Sequence, residues 1–220
     1  MTITKSINVL ENNFTSTNKF NNYHNWLWSQ ANHFQIDHDS NLREQWGFLP
    51  GFKELLMLRQ VHALEHATVW VLSNLENKQN RDNTSIGGLA TEQGFFLYGK
   101  INLLLLNKAV KIALKRLQQG EWDLALHPRC GTNAAVSAAM TTTAMLAAHV
   151  ILPKNFFSQI VGVGLTGLAC NYLAPEIGMS VQKYLTTSIP FNLKIQEISR
   201  EIDQQGRSAH FISLKWQNLQ

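Results

Sequence analysis

Val61-His62-Ala63-Leu64-Glu65-His66-Ala67-Thr68 sits inside a long apolar run that extends from Phe52 to Leu75. Leu55, Leu58, Val61, Ala63, Val69, Leu72 and Leu75 recur at helical spacing, so the run predicts a helix over 52–76. His62 and His66 are four apart and share one face of such a helix. Glu65 borders that face, which completes the order His-x-x-Glu-His, the inverted zincin signature. Two imidazoles can then reach one metal with a carboxylate beside them. A second stretch, Leu126-His127-Pro128-Arg129-Cys130-Gly131-Thr132-Asn133, adds a third imidazole and a thiol. Nitrogen and sulfur donors of these kinds suit zinc or another divalent transition metal.

With His62, His66 and His127 as ligands the centre would keep an open position, as catalytic zinc sites do. Glu65 would act as general base, and Arg129 would hold a substrate anion or a developing oxyanion. Cys130 decides the outcome at this level: as a fourth ligand it closes the site and makes it structural, and pointing away it leaves the site open. The expected activity is metal-dependent hydrolysis of an amide or ester, with a peptidase as one member of that class. The alternatives are a membrane scaffold or assembly factor with a structural metal, or a pigment or haem contact through His62, His66 or His149. The bland reading of His62, Glu65 and His66 is a hydrogen-bonded polar patch that packs helices together.

Composition bounds the rest. The chain has 220 residues, of which 45% are hydrophobic and only 15% charged, against about 25% charged in ordinary globular domains. The shortage is concentrated: neither 130–153 nor 155–175 holds an Asp, Glu, Lys or Arg, and Arg129 and Lys154 border these runs. The first run predicts a helix over 133–152, capped by Thr132 or Asn133, and the second a helix over 156–174. Each approaches the thickness of a bilayer core. Gly162, Gly164 and Gly167 allow the two to approach closely, and Pro153-Lys154-Asn155 is the turn between them. The hairpin 133–174 is therefore expected to enter the bilayer, with a buried soluble pair as the competing reading. Lys100, Lys108, Lys111, Lys115, Arg116 and Arg129 precede it, while its turn has Lys154 alone. By the positive-inside rule both termini would be cytoplasmic. The formal charge of +4 reads as these flanks, and no nucleic-acid partner is expected.

The expected fold is mainly α with a few short strands (α+β). Residues 1–19 read as a disordered tail and 20–51 as an aromatic-rich segment with a short helix near 21–35. His24, His33 and His38 in that segment are irregularly spaced and read as interfacial surface. A metal-site domain follows over 52–190, then a C-terminal strand pair over 191–220. Within these, 77–93 reads as a polar loop, 94–99 as a short strand and 100–119 as an amphipathic helix stopped by Gly120. Trp122 to Leu126 reads as extended, 176–188 as a separate short helix, and 193–195 and 209–216 as strands. Cys130 and Cys170 make no disulfide framework, and Met1 to Phe20 has no secretory signal.

The stretches His62 to Thr68, Gly94 to Gly99 and Leu126 to Asn133 resemble a membrane-protein family, a domain of unknown function seen mainly in cyanobacteria. The similarity covers most of 53–190. The paired motifs are also similar to those of a second bacterial membrane family described as predicted metal-dependent enzymes, from which this chain departs in its N-terminal half. The resemblance implies that His62, Glu65, His66, His127 and Cys130 form one site. A thylakoid or plasma-membrane setting is expected, with the lipid bilayer and other membrane proteins as partners.

Overall fold

The computed structural model describes residues 42–77, 86–203 and 205–217. The expectations for 1–19, for the helix near 21–35 and for His24, His33 and His38 lie outside these residues, as does most of the polar loop.

Helix α1, Phe52–Asn77, is the element around which the others are wrapped. Its middle is buried on every side: Val61, Ala63, Leu64, Ala67 and Leu72 have no exposure, and Glu65, His66 and Thr68 are buried among them. A helix apolar around its full circumference belongs inside a fold. Helix α2, Leu103–Gln118, covers one flank of α1. It buries Leu106, Ala109, Val110, Ala113 and Leu117 and keeps Lys108, Lys111 and Lys115 on its outer side. The Asn102 side chain caps it by accepting from the backbone N–H groups of Leu104 and Leu105. Gly120, at φ 94°, turns the chain away from its end.

Four strands, β1 (Gly87–Thr91), β2 (Gly94–Tyr98), β3 (Leu193–Ile202) and β4 (Ser208–Trp216), form one antiparallel sheet in the order β1-β2-β4-β3. Phe95, Leu97, Ile212 and Leu214 are buried in the same core cluster as α1 and α2. On another face Phe96 lies directly across from Phe211, ring centroids 4.6 Å apart. The C-terminal pair thus completes the sheet begun by β1 and β2, because β4 pairs with β2.

Helices α3, Gly131–Ile151, and α4, Phe156–Val181, form an antiparallel hairpin. No residue of α3 is buried, and only Cys170, Ala174 and Gly178 are buried in α4. These small residues lie where the helices meet: a Cβ on Gly178 would press on Asn133. Leu146, Val150, Phe156, Phe157, Leu165 and Leu168 face outward, each more than half exposed. Two helices, Gly131–Ile151 and the continuous stretch Phe156–Thr186, are long and apolar enough to cross a membrane. His149 lies at the hairpin tip, where its Nδ1 is 2.7 Å from Gln159 Oε1. Nineteen residues of helix separate it from Cys130, about 28 Å.

Four local expectations are corrected. Gly87–Thr91 is a strand, although its Gly-Gly-Leu-Ala-Thr sequence has little β propensity, because it pairs along β2. Trp122–Ala125 is a 3-10 turn, not an extended piece. The hairpin's second helix does not stop at 174, and 176–188 is not a separate helix: α4 runs through Pro175 and widens into a π turn over Gln182–Thr186. Proline removes one backbone donor, and the packing of Ala174 and Gly178 on either side outweighs that loss. Last, β3 runs over Leu193–Ile202, 10 residues and not 193–195 alone, because it pairs along β4 across a bulged register, while β4, Ser208–Trp216, keeps the expected extent to within one residue.

The β3–β4 connection carries a pH-sensitive clamp. Asp203 accepts from the backbone N–H groups of Gln205 and Arg207, from the Arg207 guanidinium and from the Tyr98 hydroxyl. Desolvation pushes its pKa up, but these donors outweigh it and bring the carboxyl to about 2. A depressed carboxyl contributes stability above its unfolded pKa of about 3.9 and loses it as pH falls through the folded value. Asp203→Asn is therefore expected to lower Tm above about pH 4, with the gap to wild type closing as pH falls toward about 2. A pH series of circular-dichroism melts reads this, and a gap that stays constant to pH 2 would contradict it.

Candidate metal centre

Three segments remote in sequence meet at one point. Helix α1 contributes His62, Glu65 and His66; the loop before α3 contributes His127 and Cys130; the π turn after α4 contributes the Thr186 carbonyl. The ligand atoms of His62, His66 and Cys130 all lie within 4.8 Å of one another. The rings of His62 and His66 are 4.3 Å apart, as neighbours one helical turn apart should be.

Hydrogen bonding fixes which nitrogen of each ring faces the cluster. His62 Nδ1–H donates to the Thr186 carbonyl at 3.0 Å, and His66 Nδ1–H donates to the Ala125 carbonyl at 2.6 Å. A carbonyl oxygen can only accept, so both rings carry their proton on Nδ1 and present the Nε2 lone pair. Metal-ligating histidines are oriented in this way, the distal N–H held by a carbonyl or carboxylate. Cys130 Sγ lies 3.3 Å from His62 Nε2. That is close to the edge of a tetrahedron built from zinc–nitrogen and zinc–sulfur bonds of roughly 2.0–2.3 Å. The donor set and its orientation therefore fit a divalent metal.

Cys130 is also the N-cap of α3, its sulfur accepting from the Thr132 backbone N–H. Burial opposes ionisation of this thiol. When the two imidazoles also carry a proton on Nε2, hydrogen bonds from His62, His66 and Thr132, with the charge of His66, outweigh burial and bring the thiol pKa down to about 5. Burial works against a charge on His62, yet Cys130 and the Thr186 carbonyl raise its pKa overall. Glu65 is pushed up by burial, a shift that His66 and His62 only partly offset. Its Oε2 sits 3.8 Å from His66 Nε2, beside the three donors.

His127 stands next to this trio. Its ring centroid is 5.7 Å from that of His66 and 5.0 Å from that of Trp70. Its Nδ1 accepts from the Arg129 backbone N–H at 3.2 Å, so in the neutral ring Nε2 carries the proton. Burial, with the charges of His66 and Arg129 added, lowers its pKa to about 4. The sequence expectation of three imidazoles around one ion thus meets a trio of two imidazoles and a thiol, with His127 and Glu65 flanking it. Arg129 is exposed and lines the same cavity.

The family described as a domain of unknown function, DUF6391, matches residues 57–198. The chain belongs to the DUF6391 family. It is also similar to an uncharacterized protein of Picosynechococcus sp. (strain ATCC 27264 / PCC 7002 / PR-6), 40% identical over 203 residues, 90% of this chain and 98% of the relative. No solved structure matches the chain. The matched region contains every residue of the cluster.

Two parts of the centre of this DUF6391 chain have no signature in the sequence. Gln182 is fully buried, and its amide holds the histidine loop. Oε1 accepts from the His127 backbone N–H at 2.9 Å, while Nε2 donates to the His127 carbonyl and to Asn133 Oδ1. Asn133 in turn donates to the Pro128 carbonyl at 2.9 Å. Only the π turn brings Gln182 and the Thr186 carbonyl to this place, and π turns recur at functional sites. The second is Gly88 of β1, whose backbone passes against the Glu65 side chain. A Cβ there would overlap the carboxylate, so the glycine is needed for close approach. Gly88→Ala is expected to cost about 1–3 kcal/mol, the range for overpacking a filled site. Glu65→Ala should relieve most of that cost in the double variant. Thermal denaturation of the four species tests the pair, and additive effects would show that the two residues do not press on each other.

Proposed function

We propose that this DUF6391 protein is an integral membrane metal-dependent hydrolase acting on an ester or amide, with His62, His66 and Cys130 as ligands to a divalent ion, zinc fitting best. The observation that carries the reading is the orientation of the two rings. Both Nδ1–H groups are engaged by carbonyls, so both Nε2 lone pairs and the Cys130 sulfur are left to one ion. Three protein ligands leave a fourth position open, the arrangement of catalytic rather than structural zinc. A metal there supplies Lewis-acid activation of water or of a substrate carbonyl.

The chain's own residues supply the rest. Glu65 is the base: a carboxyl whose pKa burial raises is better matched to proton transfer near neutral pH than an ordinary carboxylate. It takes a proton from the attacking water and gives it to the leaving group. His127, held neutral with its proton on Nε2, serves as hydrogen-bond donor to the developing oxyanion. Arg129 holds an anionic part of the substrate at the cavity wall. A second reading is favoured by one distance: with no metal, Cys130 and His62 at 3.3 Å, at the N-terminus of α3, form a nucleophilic dyad.

Membrane insertion is supported by the outward apolar faces of α3 and α4, which a soluble monomer rarely presents over so large an area. The basic residues ahead of α3, against Lys154 alone in the hairpin turn, support cytoplasmic termini. The protein is expected to stay in the membrane pellet after alkaline carbonate washing, and a C-terminal reporter to be active only on the cytoplasmic side. Release into the wash would remove the membrane part of the proposal.

Elemental analysis decides the centre. Wild type and Glu65→Gln should each carry about one equivalent of metal, and His62→Ala, His66→Ala and Cys130→Ser much less. His127→Ala should retain metal, since its ring stands outside the ligand trio. Glu65→Gln should lose hydrolysis of a chromogenic ester by at least about 100-fold. A metal-free wild type whose activity is abolished by alkylating Cys130 would replace the metal reading with the dyad.

A further inference from the structure

The centre opens into a cavity of about 910 Å³, toward the upper end of the roughly 300–1,000 Å³ typical of small-molecule sites. Its chemistry is segregated along α1. Phe52, Leu55 and Leu58, on the first turns, line an apolar part, and Leu89, Ala90 and Leu185 belong to the same wall set. Arg59, His62, Glu65 and His66, on the next turns, line the polar part, with Val69 one turn beyond them. From Phe52 to His66 is fourteen residues of helix, about 21 Å. The apolar part from Phe52 to Leu58 takes about 9 Å of that length and the polar part from Arg59 to His66 about 10 Å, so an aliphatic segment with a polar end matches the division.

The rim adds two constraints. The first turn of α3, at Gly131 and Thr132, and the end of the π turn, at Tyr184 and Leu185, both line the cavity. Those are the two ends of the hairpin, where its apolar surface begins. Tyr184 and Leu185 are 66% and 67% exposed, so an apolar surface continues from the cavity onto the hairpin. Two guanidinium groups, Arg59 and Arg129, line the cavity against a single carboxylate, Glu65. The wall charge favours an anionic or ester head group over a cationic one.

We infer that this cavity binds the aliphatic chain of a lipid carboxylate or ester, chain along Phe52 to Leu58 and head group at the Arg59–His66 end. The inference deepens the hydrolase reading and rests on it for the bond to be cleaved, but not for the binding of the chain. The shared chemistry could be presented by a free fatty acid or by a membrane phospholipid.

The test uses the purified full chain in detergent with 11-(dansylamino)undecanoic acid as fluorescent probe. Saturable one-site binding is expected, displaced by palmitate if a free acid is the ligand and by phosphatidylglycerol in mixed micelles if a phospholipid is. Leu55→Trp and Ala90→Trp fill the cavity from α1 and from β1. Each is expected to weaken binding by at least about tenfold while leaving metal content unchanged. Leu55 is half exposed on its helix, so that variant keeps the fold even if Ala90→Trp does not. Absence of saturable binding in the wild type, or wild-type affinity in Leu55→Trp, overturns the inference. A metal-loaded protein that binds no probe sinks the lipid cavity alone. A metal-free protein with cavity-dependent binding sinks the metal centre and leaves the cavity assigned.

Discussion

Two hydrogen bonds from imidazole to backbone carry the organisation of this protein. The Ala125 and Thr186 carbonyls belong to segments far apart in the chain, and each ends in an irregular turn beside α1. A buried carbonyl without a donor is costly, by about 1–3 kcal/mol. His62 and His66 satisfy one each, and in doing so they fix their own tautomer and ring angle. The same bonds tie the 3-10 turn and the π turn to the central helix. The polar centre and the packing of the fold are therefore not separable. Removing either imidazole would leave a carbonyl unpaired and a connecting segment untethered.

The cluster is also an awkward thing to bury. Glu65 and His66 are enclosed in the middle of a helix whose neighbours are Val61, Ala63, Leu64 and Ala67, all without exposure. Desolvation dominates the balance at Glu65 and leaves its pKa raised. A helix chosen only for stability would place aliphatic residues at these positions, since a buried polar network is at best neutral against a packed apolar one. Gly88 compounds this, as a strand residue with no side chain of its own beside Glu65. Departures from local rules that converge on one spot are the expected mark of a functional site. The converging residues come from α1, β1, the loop before α3 and the turn after α4, which makes a chance polar patch between two helices a poor description.

Much of this was legible in the sequence because it is periodic. The bounds of α1, the face shared by His62 and His66, the amphipathic α2 and the two charge-free runs that become α3 and most of α4 follow from spacing and composition alone. What could not be read is whatever depends on backbone groups or on partners distant in sequence. Gly87–Thr91 has no strand signature, since its pairing with β2 supplies the preference its residues lack. The helix expected to stop at 174 continues through Pro175. Gln182 looks like any polar residue near a helix end, yet it is fully buried and its amide bonds to both the N–H and the carbonyl of His127. Nor can a sequence reveal that the Arg129 backbone N–H meets His127 Nδ1. In the neutral ring that bond leaves the proton of His127 on Nε2.

The hairpin does more than extend the surface. Cys130 caps α3 at its first turn, and Thr186 ends the π turn that continues α4. Antiparallel packing of the two helices brings these ends together beside α1, so the hairpin itself closes one side of the centre. The helix N-terminus contributes partial positive charge to the Cys130 sulfur, and the Thr132 N–H adds a direct donor. The thiol is thus activated by the same element that presents the apolar surface. On the proposed reading, this explains why the site stands at the root of the hairpin and not at its tip. At the tip, among the described residues, His149 meets Gln159 and the turn, and it lies about 28 Å of helix away from Cys130. At the root, a fixed pair of imidazoles, an activated sulfur and a chain-sized apolar cavity share one wall. A water-dependent reaction on a lipid-like substrate needs that combination at one level of the fold.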